Sequence, residues 1–405
     1  MITKLNDTSI NFNLLVTLFL YFPYIGFIQG VDIQPLFFFV GLFAMIAKGL
    51  NDNFVIRFST IHLIILFFGI IFIRLSFQII DGAFNVSMLT SFATTAFHIS
   101  VILLCRSLVK ENIFDDSSRF FWIALFTYIS AGAIQLISPD FMSFVVYRGF
   151  QELTESGRGV RSLASEPAVF GNVLALMNVL AVYILCFKYK NTKWWHLLLI
   201  TVVLLVTNLF LSQSFYSISI HFIILNALLF FLNKRIFVLA LIGSYLGLNL
   251  LILASNYFDI RFFYIFDIVM NNPVQLYEQG AFLRVLNLQI SVYSSIIHGP
   301  FGSGFAPEMP AEGTIYAIEG EPYFFKVFDR NMGGFIELFL RLGLLSFPLM
   351  AWYFVTLYNI SQIRIKVNRK KISIGKWVVI AVFILGFSYN SIANPLVWII
   401  IFLFE

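Results

Sequence analysis

The sequence predicts an all-α polytopic membrane protein with about eleven or twelve transmembrane helices and two long connections on one side. Hydrophobic residues make up 60% of the 405 residues and charged residues only 12%, whereas soluble domains carry roughly 25% charged residues. Long apolar runs recur along the chain, and a helix needs about 20 apolar residues to cross the hydrocarbon core. These observations exclude a water-soluble fold and predict one transmembrane domain over residues 1–405.

Eleven apolar runs form the predicted spans. The first run has no small-residue cleavage site, so we expect a retained helix rather than a cleaved signal peptide. The last run would yield a twelfth segment if it breaks between Asn390 and Pro395, because Asn-Pro disfavours continuous helix. The predicted spans are 10–28, 33–49, 58–80, 86–108, 119–138, 167–187, 194–212, 215–233, 236–256, 334–358 and 376–403.

The basic residues predict the orientation. Alternate short loops hold 17 of the 26 Lys and Arg residues, and cytoplasmic loops carry this excess in membrane proteins. The net charge of +5 therefore reports topology and gives no reason to expect a nucleic-acid partner. The two long connections, 139–166 and 257–333, then face outward, and long connections in a compact bundle tend to be functional.

The first outer connection concentrates arginine in front of a predicted helix. Arg148, Arg158 and Arg161 precede Glu166 and Pro167, which together form a typical helix start. Guanidinium groups bind phosphate bidentately, and a helix N-terminus adds partial positive charge, so the pattern suits an anion. The alternative is that these arginines are solvated loop charges, with the carboxylate favouring the helix dipole.

The second outer connection contains a predicted amphipathic helix over residues 281–298, followed by a glycine-rich turn over 299–304. The polar stripe could simply face water, or its arginine could point toward the first connection and help to hold a phosphate group. The turn is a weak phosphate signal because it lacks the lysine and the strand-turn-helix context of a nucleotide site. The stripe consists of Arg284, Asn287, Ser291, Ser294, Ser295 and His298.

Four further charged or polar groups lie within predicted spans. Glu337 and Arg341 are four residues apart, so a local ion pair is one interpretation and a polar cavity the other. Snorkelling toward the interface is the interpretation favoured for Arg74, and a hydrogen-bonded structural role is favoured for His98.

The order of these motifs resembles the bacterial O-antigen and capsule polysaccharide polymerase family, which is related to the O-antigen ligases. The motif resemblance covers about residues 140–350, and the predicted topology matches over the whole chain. The matching residues are Arg161 with Glu166-Pro167-Ala168; Leu211-Ser212-Gln213-Ser214; Arg284 followed by Gly299-Pro300-Phe301-Gly302-Ser303-Gly304; and Asn331 leading to Leu342-Gly343-Leu344-Leu345.

The resemblance implies a multispan, lipid-sugar-using glycosyltransferase. It would transfer a growing glycan from undecaprenyl pyrophosphate to a lipid-linked repeat unit at the outer face of the bacterial cytoplasmic membrane. Arg330 stands where ligases tend to have a histidine before the asparagine, which favours a polymerase over a ligase. A lipid-linked oligosaccharide flippase, a polysaccharide exporter, an acyltransferase and an O-antigen ligase remain alternatives.

The predicted site combines the residue patterns with this resemblance. We expect no metal ion and no cofactor, because His and carboxylate residues lack ligand spacing. The expected partners are the lipid-linked glycan donor and acceptor and membrane lipid, and the resemblance also allows for a chain-length regulator. The predicted catalytic residues are Arg161, Glu166 and Arg284, and the predicted binding residues are Arg148, Arg158, His298, Arg330 and Asn331.

Overall fold

The computed structural model describes most of the predicted helices. Described residues are 21–25, 58–80, 114–138, 159–164, 167–189, 192–254, 311–316, 322–327, 341–367 and 370–388, with single positions among 39–46, 82–96, 301–304 and 397–401. The elements in chain order are α1 (Phe58–Ile80), α2 (Phe114–Ile137), α3 (Pro167–Lys188), α4 (Trp194–Thr207), a π-helical turn (Asn208–Ser212), α5 (Phe215–Leu232), α6 (Lys234–Ala254), β1 (Ala311–Tyr316), β2 (Pro322–Val327), a 3-10 turn (Gly343–Ser346), α7 (Phe347–Ser361), β3 (Ile365–Val367), β4 (Lys370–Ile372) and α8 (Ile374–Ser388).

Helix α3 lies at the centre of the described bundle. Its apolar residues face all directions, and 83% of its Pro167–Phe187 window is buried, against 33 to 39% for the other long apolar helices. A helix that is hydrophobic all round is expected to be surrounded by other elements. Helices α2, α4, α5 and α8 pack around it, so α3 is the central helix of the described bundle.

Helices α3 and α5 are parallel, and α4 runs between their ends in the opposite direction. Ser217 near the start of α5 contacts Ala168 near the start of α3, while Thr201 in α4 donates a hydrogen bond to Asn178 in α3 at 3.0 Å. Gly171 makes the close approach possible, because a Cβ there would lie 2.4 Å from the Cβ of Ser217. Small residues commonly allow membrane helices to pack this tightly.

Helix α8 completes the other side of the bundle. The indole N–H of Trp377 donates to the carbonyl of Ile224 in α5 at 3.0 Å, and the hydroxyl of Tyr353 in α7 donates to the carbonyl of Val382 in α8 at 3.3 Å. Gly375 lies directly against the carbonyl of Ile360. The buried polar ends of the large aromatic side chains are therefore paired with backbone carbonyls, as burial requires.

The outward surfaces of the helices are apolar. Phe72 of α1 is 63% exposed, Phe126 of α2 is 72% exposed and Tyr358 of α7 is 67% exposed. In water, such a continuous apolar surface would be unusual. Within the described residues, five helices have the length and composition to cross a membrane, and two shorter apolar helices accompany them.

The helical class is confirmed for the described spans, and the connections add two hairpins that the sequence analysis did not predict. In the connection 257–333, β1 pairs antiparallel with β2, with Ala311 opposite Val327. Between α7 and α8, β3 pairs antiparallel with β4, with Ile365 opposite Ile372. The predicted spans 10–28, 33–49 and 86–108 lie largely outside the described residues, as do residues 389–396 of the last span.

Candidate functional site at one end of the bundle

The segment 159–164 lies against the end of the bundle at which α2 and α4 terminate. The backbone N–H of Val160 donates to the carbonyl of Leu211 in the π-helical turn at 2.7 Å. Gly159 has φ of +76°, and a Cβ there would lie 2.4 Å from the carbonyl oxygen of Ser212. Glycine is required at this position both by the backbone conformation and by the close approach.

Gln135, near the end of α2, holds the centre of this segment. Its side-chain oxygen accepts a hydrogen bond from the backbone N–H of Arg161 at 3.1 Å and one from the backbone N–H of Ser162 at 2.8 Å. The side chain of Gln135 is only 4% exposed. Because the amide nitrogen cannot accept a hydrogen bond, the two donors fix which way the amide group points.

Ser162 anchors the same segment from its side chain. It adopts a left-handed backbone conformation with φ of +54°, and its hydroxyl donates to the carbonyl of Tyr128 at 2.5 Å. The N–H of Ala164 donates to the carbonyl of Arg161 at 3.1 Å, which closes a tight turn. Arg161 therefore sits on a backbone fixed on both sides, and its side chain is partly exposed.

The π-helical turn at the end of α4 is the second half of the site. The hydroxyl of Ser212 donates to the side-chain oxygen of Asn208, and the N–H of Gln213 donates to the carbonyl of Asn208 at 3.0 Å. Gln213 then takes a left-handed conformation with φ of +49°. Single π-helical turns occur frequently at functional sites. The segment that carries Arg161 thus contacts the Leu211–Ser214 run through Gly159 and Val160.

Two helix N-termini meet beside this contact. The hydroxyl of Ser214 caps α5 by accepting from the N–H of Ser217. The hydroxyl of Ser217 lies 3.1 Å from both the carbonyl of Ala168 and the side-chain oxygen of Asn172, at the start of α3. Because the two helices are parallel, the positive ends of both dipoles lie at this end of the bundle.

The glycine-rich turn is held by α1 and by the residues just before α7. Arg74 donates to the carbonyl of Gly302 at 2.8 Å, and the ring of Phe301 stacks on that of Phe77 with centroids 4.4 Å apart. The N–H of Gly304 donates to the carbonyl of Arg341 at 2.9 Å. The turn thereby joins two elements that are far apart in the chain.

Arg74 corrects one interpretation made from the sequence. Snorkelling would leave its guanidinium in solvent, but the side chain is 6% exposed and donates to a carbonyl of the glycine-rich turn. Burial of a guanidinium is favourable only where hydrogen-bond acceptors replace water. Arg74 is therefore a buried structural donor that fixes the turn.

A buried polar group inside the bundle was not anticipated from the sequence. His221 of α5 is fully buried and lies beside the backbone of Gly171. Asn172 is 1% exposed, and Asn208 and Thr201 are fully buried. The available signal was the spacing of Ser214, Ser217 and His221, which places polar groups on one face of an otherwise apolar helix.

Most of the predicted site residues lie outside the described part of the chain, and Arg161 is the exception. His98, the ion-pair candidate Glu337 and the amphipathic helix 281–298 also fall outside it. Among the residues that the structure describes, no three His, Cys, Asp or Glu side chains come together. The predicted site residues outside the described part are Arg148, Arg158, Glu166, Arg284, His298, Arg330 and Asn331.

The fold and the site together define a helical bundle whose long apolar helices suit a membrane, with a polar assembly of Gln135, Ser162, Asn208 and Ser212 at one of its ends. No family model, no curated protein and no solved structure matches the chain.

Proposed function

We propose that the protein is a polysaccharide repeat-unit polymerase of the bacterial cytoplasmic membrane, acting at the outer face. The observation that supports this best is the position of Arg161. Its backbone is bonded to Gln135, and its neighbour Val160 is bonded to the turn that precedes α5. The arginine is therefore held where two separate motifs of the chain meet, at the end of the bundle where α3 and α5 begin.

The electrostatics of this end suit a diphosphate. A guanidinium group binds phosphate oxygens bidentately, and a helix N-terminus adds about half a positive elementary charge near the same place. Two parallel N-termini, those of α3 and α5, lie there together. Such groups stabilise negative charge most where water is partly excluded.

The proposed reaction is glycosyl transfer between two lipid-linked sugars. The hydroxyl oxygen of the acceptor repeat unit forms a bond to the anomeric carbon of the donor glycan. The bond from that carbon to the pyrophosphate oxygen breaks, and undecaprenyl pyrophosphate leaves with the electron pair. The hydroxyl proton passes to a base, for which Glu166 is the candidate. Arg161 and Arg284 would stabilise the charge that develops on the departing diphosphate.

The first prediction is that Arg161→Ala abolishes long polymer. The leaving group would lose its guanidinium partner, and removal of one such stabilising group costs about 10²–10³ in rate. The measurement is polymer length after incubating the purified protein with lipid-linked repeat units. Arg161→Lys should retain part of the activity, because it keeps the charge without the bidentate geometry.

Arg235→Ala is the matched control. Arg235 is exposed and follows α5, at the end of the bundle opposite to Arg161, so its loss should leave polymer length unchanged. Normal polymer from the Arg161→Ala protein would contradict the proposed function.

The same preparation separates polymerisation from transport. If lipid-linked repeats cross the bilayer of proteoliposomes and no new glycosidic bonds form, the protein is a flippase or an exporter. If glycan is transferred to a lipid acceptor that carries no repeat unit, the ligase alternative is correct. Polymer formation in detergent, without any second compartment, supports the polymerase.

A further inference from the structure

Gln135 makes two hydrogen bonds that the packing of an apolar helix does not by itself require. Consecutive backbone N–H groups, those of Arg161 and Ser162, converge on its single amide oxygen at 3.1 and 2.8 Å. Ser162, the second of these residues, has a positive φ. Consecutive N–H groups next to a left-handed residue form a concavity that ordinarily binds an anion. Here the concavity is occupied by a neutral carbonyl oxygen from another helix.

The side chain of Gln135 is an uncharged amide, and this has an electrostatic consequence that a carboxylate would not have. A carboxylate in the same place would accept both hydrogen bonds and would make each of them stronger. It would also put a negative charge next to the backbone of Arg161 in a region that is nearly closed to water, where Gln135 is 4% exposed. That charge would oppose the approach of a diphosphate, because charges are poorly screened in such surroundings.

We propose that Gln135 is a positioning residue, which fixes the backbone of Arg161 through a neutral acceptor and so adds no negative charge where an anionic ligand binds. The inference rests on the proposed function and identifies the ligand group at this site as the diphosphate of a lipid carrier. Two properties of the Gln135 amide matter for this role, namely the position of its oxygen and its lack of charge.

Two substitutions separate these properties. Gln135→Ala removes the acceptor, so the segment 159–164 loses two of its anchors while the charge of the site is unchanged. Gln135→Glu keeps an oxygen in the same place and adds a charge that depends on pH. The probe is undecaprenyl pyrophosphate, and the measurement is its equilibrium binding to the purified full-length protein in detergent.

We expect both variants to bind the probe about tenfold more weakly than the wild type at about pH 8, which corresponds to about 1.4 kcal/mol. A carboxyl is charged above its pKa and neutral below it. The Gln135→Glu protein should therefore approach wild-type affinity as the pH falls toward about 4, whereas the deficit of Gln135→Ala should persist. Taking the ratio to the wild type at each pH removes the titration of the probe itself. A merely structural role would give no such recovery.

Asn178→Ala is the control for burial. Asn178 is a fully buried amide whose oxygen accepts from Thr201, and no described contact joins it to the segment 159–164. Its loss should lower the melting temperature and leave the affinity unchanged. If Gln135→Ala does not fold, the pH dependence of Gln135→Glu still decides, because the carboxyl oxygen can accept the same two hydrogen bonds.

The outcomes for this inference and for the proposed function are distinct. If Arg161→Ala loses affinity while both Gln135 variants bind like the wild type, the positioning role is wrong and the function stands. A Gln135→Glu deficit that is the same at every pH overturns the electrostatic part of the inference. If Arg161→Ala binds undecaprenyl pyrophosphate as the wild type does, or the wild type does not bind it, both the inference and the proposed function are overturned.

Discussion

At the scale of single residues, the site depends on backbone conformations that residues other than glycine rarely adopt. Ser162 and Gln213 adopt left-handed conformations, with φ of +54° and +49°, and such conformations are uncommon for residues other than glycine. Hydrogen bonds compensate for the strain: Ser162 bonds to Tyr128 and Gln135, and Gln213 bonds to Asn208. The two strained residues lie on the two segments that meet next to Arg161, and strain of this kind clusters at functional sites.

Gly159→Ala should destabilise the protein by about 1–3 kcal/mol, through backbone strain and a steric clash together. The φ of +76° is unfavourable for alanine, and the new Cβ would meet the carbonyl of Ser212 at 2.4 Å. The measurement is the thermal unfolding midpoint in detergent.

Two other glycines supply the matched controls. Gly82 also has a positive φ, of +75°, but a Cβ there would meet nothing within 4 Å, and Gly69 has neither problem. The expected order of destabilisation is Gly159→Ala, then Gly82→Ala, then Gly69→Ala. An equal effect of the first two substitutions would mean that contact with Ser212 does not matter.

At the scale of elements, the contact between α3, α4 and α5 positions the site. The π-helical turn lengthens the end of α4, and Asn208 in that turn approaches the carbonyl of Gly171 in α3 at 3.5 Å. Ser217 of α5 fits against the same glycine. The three helices therefore meet at Gly171, where α3 has no side chain. This close packing brings the starts of α3 and α5 together.

Gly171→Ala should separate these helices, because its Cβ would lie 2.4 Å from the Cβ of Ser217 and 2.8 Å from the side-chain oxygen of Asn208. Overpacking of this kind costs about 1–3 kcal/mol. Combining it with Ser217→Gly should recover part of the loss, since the nearest atoms would be removed. A double-mutant cycle on unfolding midpoints measures the coupling.

Gly243→Ala is the control for this cycle. Gly243 lies in α6, and a Cβ there would meet nothing within 4 Å, so its substitution should be nearly neutral. Strict additivity of the Gly171 and Ser217 substitutions would show that the two residues do not limit the helix approach.

At the scale of the whole molecule, basic residues mark the described end of the bundle that lies opposite to Arg161. Lys188 ends α3, Lys193 lies just before α4, and Lys234 and Arg235 begin α6, so these four residues lie at one end. Arg161 and the polar assembly lie at the other end. Since short basic loops face the cytoplasm, we propose that the polar assembly faces outward.

Single cysteines introduced into a cysteine-free background should report this orientation. Ser138→Cys, at the exposed end of α2, should react with a membrane-impermeant maleimide on intact spheroplasts. Lys234→Cys, exposed at the opposite end, should react only after the membrane is permeabilised. The opposite pattern would place Arg161 in the cytoplasm and would remove the proposed access to outer-face lipid-linked sugars.

The sequence by itself determined the helical class, the start of α3 at Pro167 and the bounds of α1, α3 and α5 to within one residue, whereas the predicted span 334–358 contains the 3-10 turn Gly343–Ser346. Hydropathy and helix-start signals are local properties, so they can be recognised along the chain. The tertiary structure alone decided that Gln135 holds Arg161, that Arg74 is buried on the glycine-rich turn and that His221 lies inside the bundle. The partners in the first two contacts are 26 and 228 residues apart, and such pairings follow from how the helices pack, which local residue patterns do not encode.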